Sequence, residues 1–189
     1  MSEEVSISVI IPTLNEESCI ETCLQRLELA GVDELIVVDG GSDDRTRELA
    51  ERRADKVVVE PGGVFSQMNR GAREAEGEIL LFQYADGLPG EDAGAVIRRT
   101  LESPGISGGA FRLNLDRGGV FYRAVSRCAH WRNCLGFGPF GDQSIFVRAG
   151  VFSDAGGFPE DGVLPDHEFV RILARNRSFR LLKEPVTVS

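Results

Sequence analysis

Three short segments of this chain are apolar along nearly their whole length: Ile7-Ser8-Val9-Ile10-Ile11, Glu34 to Val38, and Glu78 to Phe82. A strand with one wet face alternates apolar and polar residues, whereas a strand buried on both faces reads as a continuous apolar run. Between these runs lie stretches with helical spacing. Ile20, Cys23, Leu24 and Leu27 form one stripe, which predicts a helix from Glu17 to Leu29 stopped by Gly31. Asp43 or Asp44 is a candidate cap for a helix running through Arg53, and another helix is predicted from about Phe65 to Ala75. Lys56 to Val59 reads as a third, shorter strand. Doubly buried strands alternating with helices imply an α/β fold with a mixed, mainly parallel sheet flanked by helices.

The second half has a different texture. A helix is expected from Gly90 to Leu101 and an extended strand over Gly108 to Leu115. Val120 to Leu135, with Trp131, reads as a helix, and Gly136 to Gly141 as a glycine/aromatic loop near a ligand or lid. Ser144 to Val147 is a short strand, Asp166 to Ala174 a helix, and Phe179–Leu182 and Pro185–Val188 two strand-like pieces. No linker interrupts the chain. One domain over residues 1–189 is expected, with a nucleotide half (about 1–88) and an acceptor half (about 89–189).

The formal net charge of -9 argues against a nucleic-acid partner, which would need a basic face. No apolar run is long enough to span a bilayer, and the acidic start Met1-Ser2-Glu3-Glu4 leads straight into a strand. A cytoplasmic location is the expectation. Cys19, Cys23, Cys128 and Cys134 contain no CxxC pair, so reduced, mostly buried thiols are expected in place of a zinc site.

Chemistry concentrates where strands end. In open α/β sheets the carboxyl ends of the strands are where ligands bind. Ile36-Val37-Val38-Asp39-Gly40-Gly41-Ser42 places an acid and two glycines in a tight strand-to-helix turn, suited to a base or ribose. Thr13 and Glu16 follow the first strand after Pro12, which is expected to end its ladder; Asn15 and Glu16 also suit a plain capping pair. Asp86 follows the fourth strand, where it would hold a divalent cation on a diphosphate or serve as an ordinary turn aspartate. Asp142 and Gln143 are acceptor-side candidates or turn residues. His130 and Trp131 are read as packed aromatics and His167 as an exposed histidine.

The segments ISVIIPTLNEE, VVDGGSDD, QMNRGAREAEGEILLFQYAD and GDQSIFVR occur together and in this order. The set resembles the family-2 glycosyltransferases of GT-A fold over nearly the whole chain. Gly108–Leu113, Gly141–Arg148 and Gly156–Pro159 are similar to segments of its radical-SAM/selenodomain-associated transferase 2 subgroup. The resemblance implies transfer of a sugar, with inversion, from a UDP- or GDP-linked donor to an acceptor hydroxyl, aided by Mn2+ or Mg2+. It implies that Pro12, Thr13 and Glu16 line the nucleoside pocket and that Asp39 hydrogen-bonds the base, with Gly40 and Gly41 beside it. Asn69 and Gly71 would lie on the helix facing the nucleotide, Asp86 would bind the metal, and Asp166 would be the general base. Tyr84 stands where the DxD motif has its first acid and Pro165 where the ED motif has glutamate. The chain also stops at Ser189, short of the C-terminal extension expected from the resemblance. A second possibility is therefore a nucleotide-sugar-binding protein that has lost transfer and acts as a partner or regulator. A nucleotidyltransferase ranks last, because the loop after the first strand offers neither glycine nor cation.

Overall fold

The computed structural model describes residues 4–115, 143–160, 168–172 and 179–188. The elements in chain order are β1 (Ile7–Thr13), α1 (Ile20–Leu29), β2 (Glu34–Asp39), α2 (Thr46–Ala50), β3 (Lys56–Val59), α3 (Val64–Glu74) and β4 (Ile79–Phe82). They continue with β5 (Gly87–Pro89), α4 (Ala93–Leu101), β6 (Gly108–Leu115), β7 (Ile145–Arg148), α5 (Ala149–Asp154) and β8 (Phe179–Val188). Residues 168–172 are helical, within the predicted Asp166–Ala174 helix. The predicted Val120–Leu135 helix and the Gly136–Gly141 loop lie outside the described residues.

The eight strands form one sheet in the order β3-β2-β1-β4-β7-β6-β8-β5. β3, β2, β1 and β4 are mutually parallel. β7 runs antiparallel to both β4 and β6, β8 is parallel to β6, and β5 is antiparallel to β8. The mixed, mainly parallel sheet is thus the expected one.

The apolar runs bury both faces, as their composition requires. Ile7, Val9 and Ile11 pack with Val37, Ile79 and Leu81 against α1, α2 and α4. Ile10 packs with Ile36, Val38, Leu80 and Phe82 against α3 and α5. Fully burying each such side chain is worth about 1.5–3 kcal/mol. Ser8, a polar residue in the middle of the apolar run of β1, is fully buried and satisfied: its hydroxyl donates to Glu34 and accepts from Gly77 N at 2.8 Å.

Pro12 does not end its ladder. β1 continues to Thr13, with Pro12 opposite Val38 and Thr13 opposite Asp39. Backbone groups of even-numbered β1 residues point toward β4, as Ile10 O does in accepting from Gln83 N at 3.0 Å. The missing N–H of Pro12 therefore falls past the last β1–β4 pair, Ile10 with Phe82.

Other differences have local causes. α1 begins at Ile20 because Glu17–Cys19 form turns, α2 ends at Ala50, and α4 starts at Ala93. The two predicted C-terminal pieces are one strand, β8, and a register shift between Ala110 and Arg112 lets Pro185 pair opposite Arg112. Patterning does not anticipate β5 or α5, which are only three and six residues long and carry Gly87, Pro89 and Gly150.

Candidate functional site

The carboxyl ends of β1, β2 and β4 form one rim, and the residues picked out at those ends fall into very different environments. Asp39, the last residue of β2, is fully buried. Its Oδ2 accepts from Gly41 N and Ser42 N, both at 3.0 Å. Its Oδ1 accepts from Ser42 Oγ at 2.5 Å and from Thr13 Oγ1 at 3.5 Å. A buried carboxylate is tolerable only with such donors. The carboxylate thus braces its own turn, residues 40–42, at the rim where a base is expected. Gly41 adopts φ 99°, the left-handed region that closes the turn around the acid. Gly40 N donates to Thr13 O at 2.8 Å, and a Cβ at Gly40 would lie 2.4 Å from Gln67 Nε2.

The loop after β1 is bound to the loop after β2. Asn15 N donates to Ser42 Oγ at 2.9 Å, and Asn15 Oδ1 accepts from Asp43 N at 3.0 Å. Glu16 N donates to Thr46 Oγ1 at 2.7 Å and Glu17 N to Asp44 Oδ2 at 3.1 Å. Asn15 holds φ 57°, which asparagine tolerates better than most residues. Asn15 thus ties two loops together, a role that local capping logic does not reach. Glu16 O accepts from Cys19 N and Ile20 N, which starts α1. Pro12 and Thr13 are buried at the same rim, Glu16 is half-buried, and Leu14 is 56% exposed.

Asp86 presents the opposite case. It is exposed, in a turn closed by the 3.0 Å bond from Gly87 N to Tyr84 O. Its carboxylate and that of Glu16 act on the same two thiols. Burial first, then the Glu16 hydrogen bond and the charges of Glu16 and Asp86, push the Cys19 thiol from an ordinary 9.0 up to about 12. Burial first, then Cys19, Asp86 and Glu16, push Cys23 up to about 12. Both thiols are neutral at physiological pH and are not nucleophiles. Two carboxylates therefore share one corner of the rim.

Asn69 and Gly71 lie on α3, the helix whose Gln67 reaches Gly40, and each makes a packing or backbone contact of its own. A Cβ on Gly71 would lie 2.4 Å from Ile10 Cγ2 and 3.0 Å from Val38 Cγ2, so Gly71 brings α3 onto the sheet. Asn69 clamps a distant backbone: Nδ2 donates to Phe158 O at 2.8 Å and Oδ1 accepts from Phe158 N at 2.9 Å. It lines a cavity of about 620 Å³ with Arg73, Phe152, Gly157, Phe158 and Glu160, which none of Thr13, Asp39 or Asp86 touches. Gln143, expected beside the acceptor, is 1% exposed and donates to Phe111 O at 3.2 Å. Asp142 and Asp166 lie outside the described residues, as do His130, Trp131, His167, Cys128 and Cys134. Residues not anticipated from sequence are Ser42, Thr46, Gln83 and Ser144; only Ser42 carried a signal, its place directly after the glycine pair.

A mainly parallel sheet with acids on neighbouring strand ends is the architecture of the GT-A class. The structure superposes on S. aureus TarS with TM-score 0.79, at 19% identity over 97% of this chain and 60% of that one. It superposes with TM-score 0.73 on glucosyl-3-phosphoglycerate synthase from Mycobacterium tuberculosis in complex with Mn2+, UDP and glucosyl-3-phosphoglycerate. That match has 21% identity and covers 98% of this chain and 72% of that one. At these identities the likeness shows the fold.

The chain belongs to glycosyl transferase family 2, whose profile matches residues 8–133. A PGL/p-HBAD biosynthesis glycosyltransferase of Mycobacterium tuberculosis is 39% identical over 88 residues, 42% of this chain and 34% of that protein. The chain thus spans about a third of the length of such relatives. No helix among the described residues is long and apolar enough to cross a membrane.

Proposed function

We propose that this chain transfers a sugar from a nucleoside diphosphate sugar to an acceptor hydroxyl, with inversion at the anomeric carbon. The observation that carries this is the rim itself: Thr13, Asp39 and the Asp86 turn stand at the ends of adjacent parallel strands in a family-2 domain. A nucleotide occupies that rim, with Pro12, Thr13 and Glu16 on one side. Asp39 serves it by fixing the 40–42 turn against which the base packs. Membership of the radical-SAM/selenodomain-associated subgroup is part of this reading, supported by the similarity of Gly108–Leu113 and Gly156–Pro159 to segments of that subgroup. The free thiols Cys19 and Cys23 are in keeping with a cytoplasmic setting. Loss of transfer is the less favoured alternative, given the family relationship.

The donor chemistry suits a divalent cation. Asp86 offers exposed, hard carboxylate oxygens that no described donor occupies. No group of three or more His, Cys, Asp or Glu able to hold a metal occurs among the described residues. One carboxylate, with substrate phosphates and water completing the shell, is a usual Mg2+ or Mn2+ arrangement. The cation would neutralise charge on the leaving diphosphate. Asp166 is assigned the removal of the acceptor proton, and the segment holding Asp142 and Gln143 the acceptor side.

A thermal-shift screen of UDP, GDP and their sugar conjugates, with and without Mn2+, tests the proposal. A metal-dependent stabilisation by one nucleotide class is expected, together with loss of transfer but retained binding in Asp166→Asn. No stabilisation by any nucleotide, or full turnover in Asp166→Asn, would overturn it.

A further inference from the structure

A buried polar joint lies directly behind the Asp86 turn and belongs to neither the nucleotide rim nor the core. Gln83 follows β4, is 1% exposed, and uses both ends of its amide. Its Nε2 donates to Tyr84 O at 2.9 Å, and its Oε1 accepts from Ser144 Oγ at 2.5 Å. Tyr84 O also accepts from Gly87 N, so the carbonyl that closes the turn is the one that Gln83 holds. Gly87 makes room: a Cβ there would lie 2.2 Å from Gln83 Nε2. Asp86 sits inside this turn, between the held carbonyl and the glycine.

Ser144 is unusual in itself. It is 1% exposed and holds φ 49°, a left-handed conformation that costs a residue with a Cβ on the order of 1 kcal/mol. Such a backbone persists only where its surroundings fix it. The hydroxyl bond to Gln83 is one of the contacts that hold it. Ser144 directly follows Gln143, whose amide is bound to Phe111 O on β6. The joint thus runs from the β6–β7 region through Ser144 and Gln83 into the turn that carries Asp86.

We propose that Gln83 and Ser144 are positioning residues that aim the Asp86 carboxylate at the cation and couple that aim to the segment beginning β7. The inference rests on the assignment of Asp86 as the cation ligand. A purely structural joint would set stability alone. A positioning joint sets cation affinity separately from stability, because Gln83 orients the turn and not the core around it.

The experiment titrates Mn2+ by calorimetry into the full chain with saturating UDP and measures the unfolding temperature in parallel. Gln83→Leu and Ser144→Gly are each expected to weaken Mn2+ binding about 10-fold, the lower end for loss of a group that orients a metal ligand. Ser144→Gly should keep its unfolding temperature within a few degrees, because glycine relieves the left-handed strain as the bond is lost. It carries the test alone if Gln83→Leu does not fold. The double variant Gln83→Leu/Ser144→Gly leaves no orphaned partner, so its stability should recover while Mn2+ binding stays weak. Wild-type Mn2+ affinity in the single variants, or affinity that recovers together with stability in the double variant, would overturn the inference. Asp86→Ala separates the two levels. If it leaves Mn2+ affinity unchanged, the assignment of Asp86 fails and the inference falls with it. If it abolishes Mn2+ binding while the joint variants bind normally, the inference alone fails.

Discussion

Asp39 and Asp86 look alike in sequence, each an acid followed by glycine at the end of a parallel strand. In the fold they are opposites. Asp39 is fully buried and takes hydrogen bonds from Gly41 N, Ser42 N, Ser42 Oγ and Thr13 Oγ1. Asp86 is exposed, its turn held from behind by Gln83 and from below by Cys23, whose thiol lies 3.9 Å from Tyr84 O and 3.8 Å from Gly87 O. One carboxylate builds its turn; the other is exposed, and the proposed function gives it to what the site binds. An acid at a strand end is therefore a signal for the rim but not for which of these two tasks it performs.

The largest expected effect comes from Asp39→Ala. It strands buried donors around the vacated carboxylate and should cost about 3–5 kcal/mol, read by urea unfolding. Asp86→Ala should stay within about 0.5 kcal/mol of wild type in the same measurement. Equal losses at the two positions would break the comparison. The next effect reverses the order: Asp86→Ala should abolish the Mn2+ dependence of UDP binding, seen by calorimetry. Persistence of that dependence would put the cation elsewhere.

Ser42→Ala sharpens the Asp39 side. It removes a donor to Asp39 and the acceptor of Asn15 N, and should cost about 1 kcal/mol or somewhat more. A neutral Ser42→Ala would mean that the backbone amides alone satisfy the acid.

The smallest effect belongs to the Asp86 side and emerges only in alkali. Cys19 and Cys23 hold their protons more tightly folded than unfolded, from an ordinary 9.0 up to about 12. Their contribution is complete below pH 9 and should be lost as pH rises toward 12. Thermal unfolding of Cys23→Ala should decline less steeply over that window than wild type. Parallel declines would show that burial around the turn does not control the thiol.

The parallel half was legible because doubly buried strands leave continuous apolar runs, and because strand ends in such sheets collect polar residues. β1, β2, β3 and β4 fell where those runs predict. The partners of each polar residue were less legible, since they depend on loops distant in sequence. Asn15 reads as a local cap until Asp43 is seen to donate to it. Gly71 reads as a glycine near a ligand until Ile10 and Val38 are seen against it. Asn69 has the chemistry of a nucleotide contact, yet Phe158 takes its amide, 89 residues away. The edge strand β5 escaped because three residues with glycine and proline carry almost no strand signal.

The crossed bonds between residues 15–17 and 43–46 have a consequence for opening motions. The amides of Glu16, Glu17, Asp43 and Arg45 sit on surface loops, yet each donates to a side chain of the other loop. Neither loop can fray without releasing its neighbour. Hydrogen exchange should therefore find these amides opening as a single cooperative unit that spans the first two βα turns, slower than their exposure alone would suggest. The floor beneath a nucleotide would then be rigid before any ligand arrives, and the entropy of ordering it would already have been met in folding the protein.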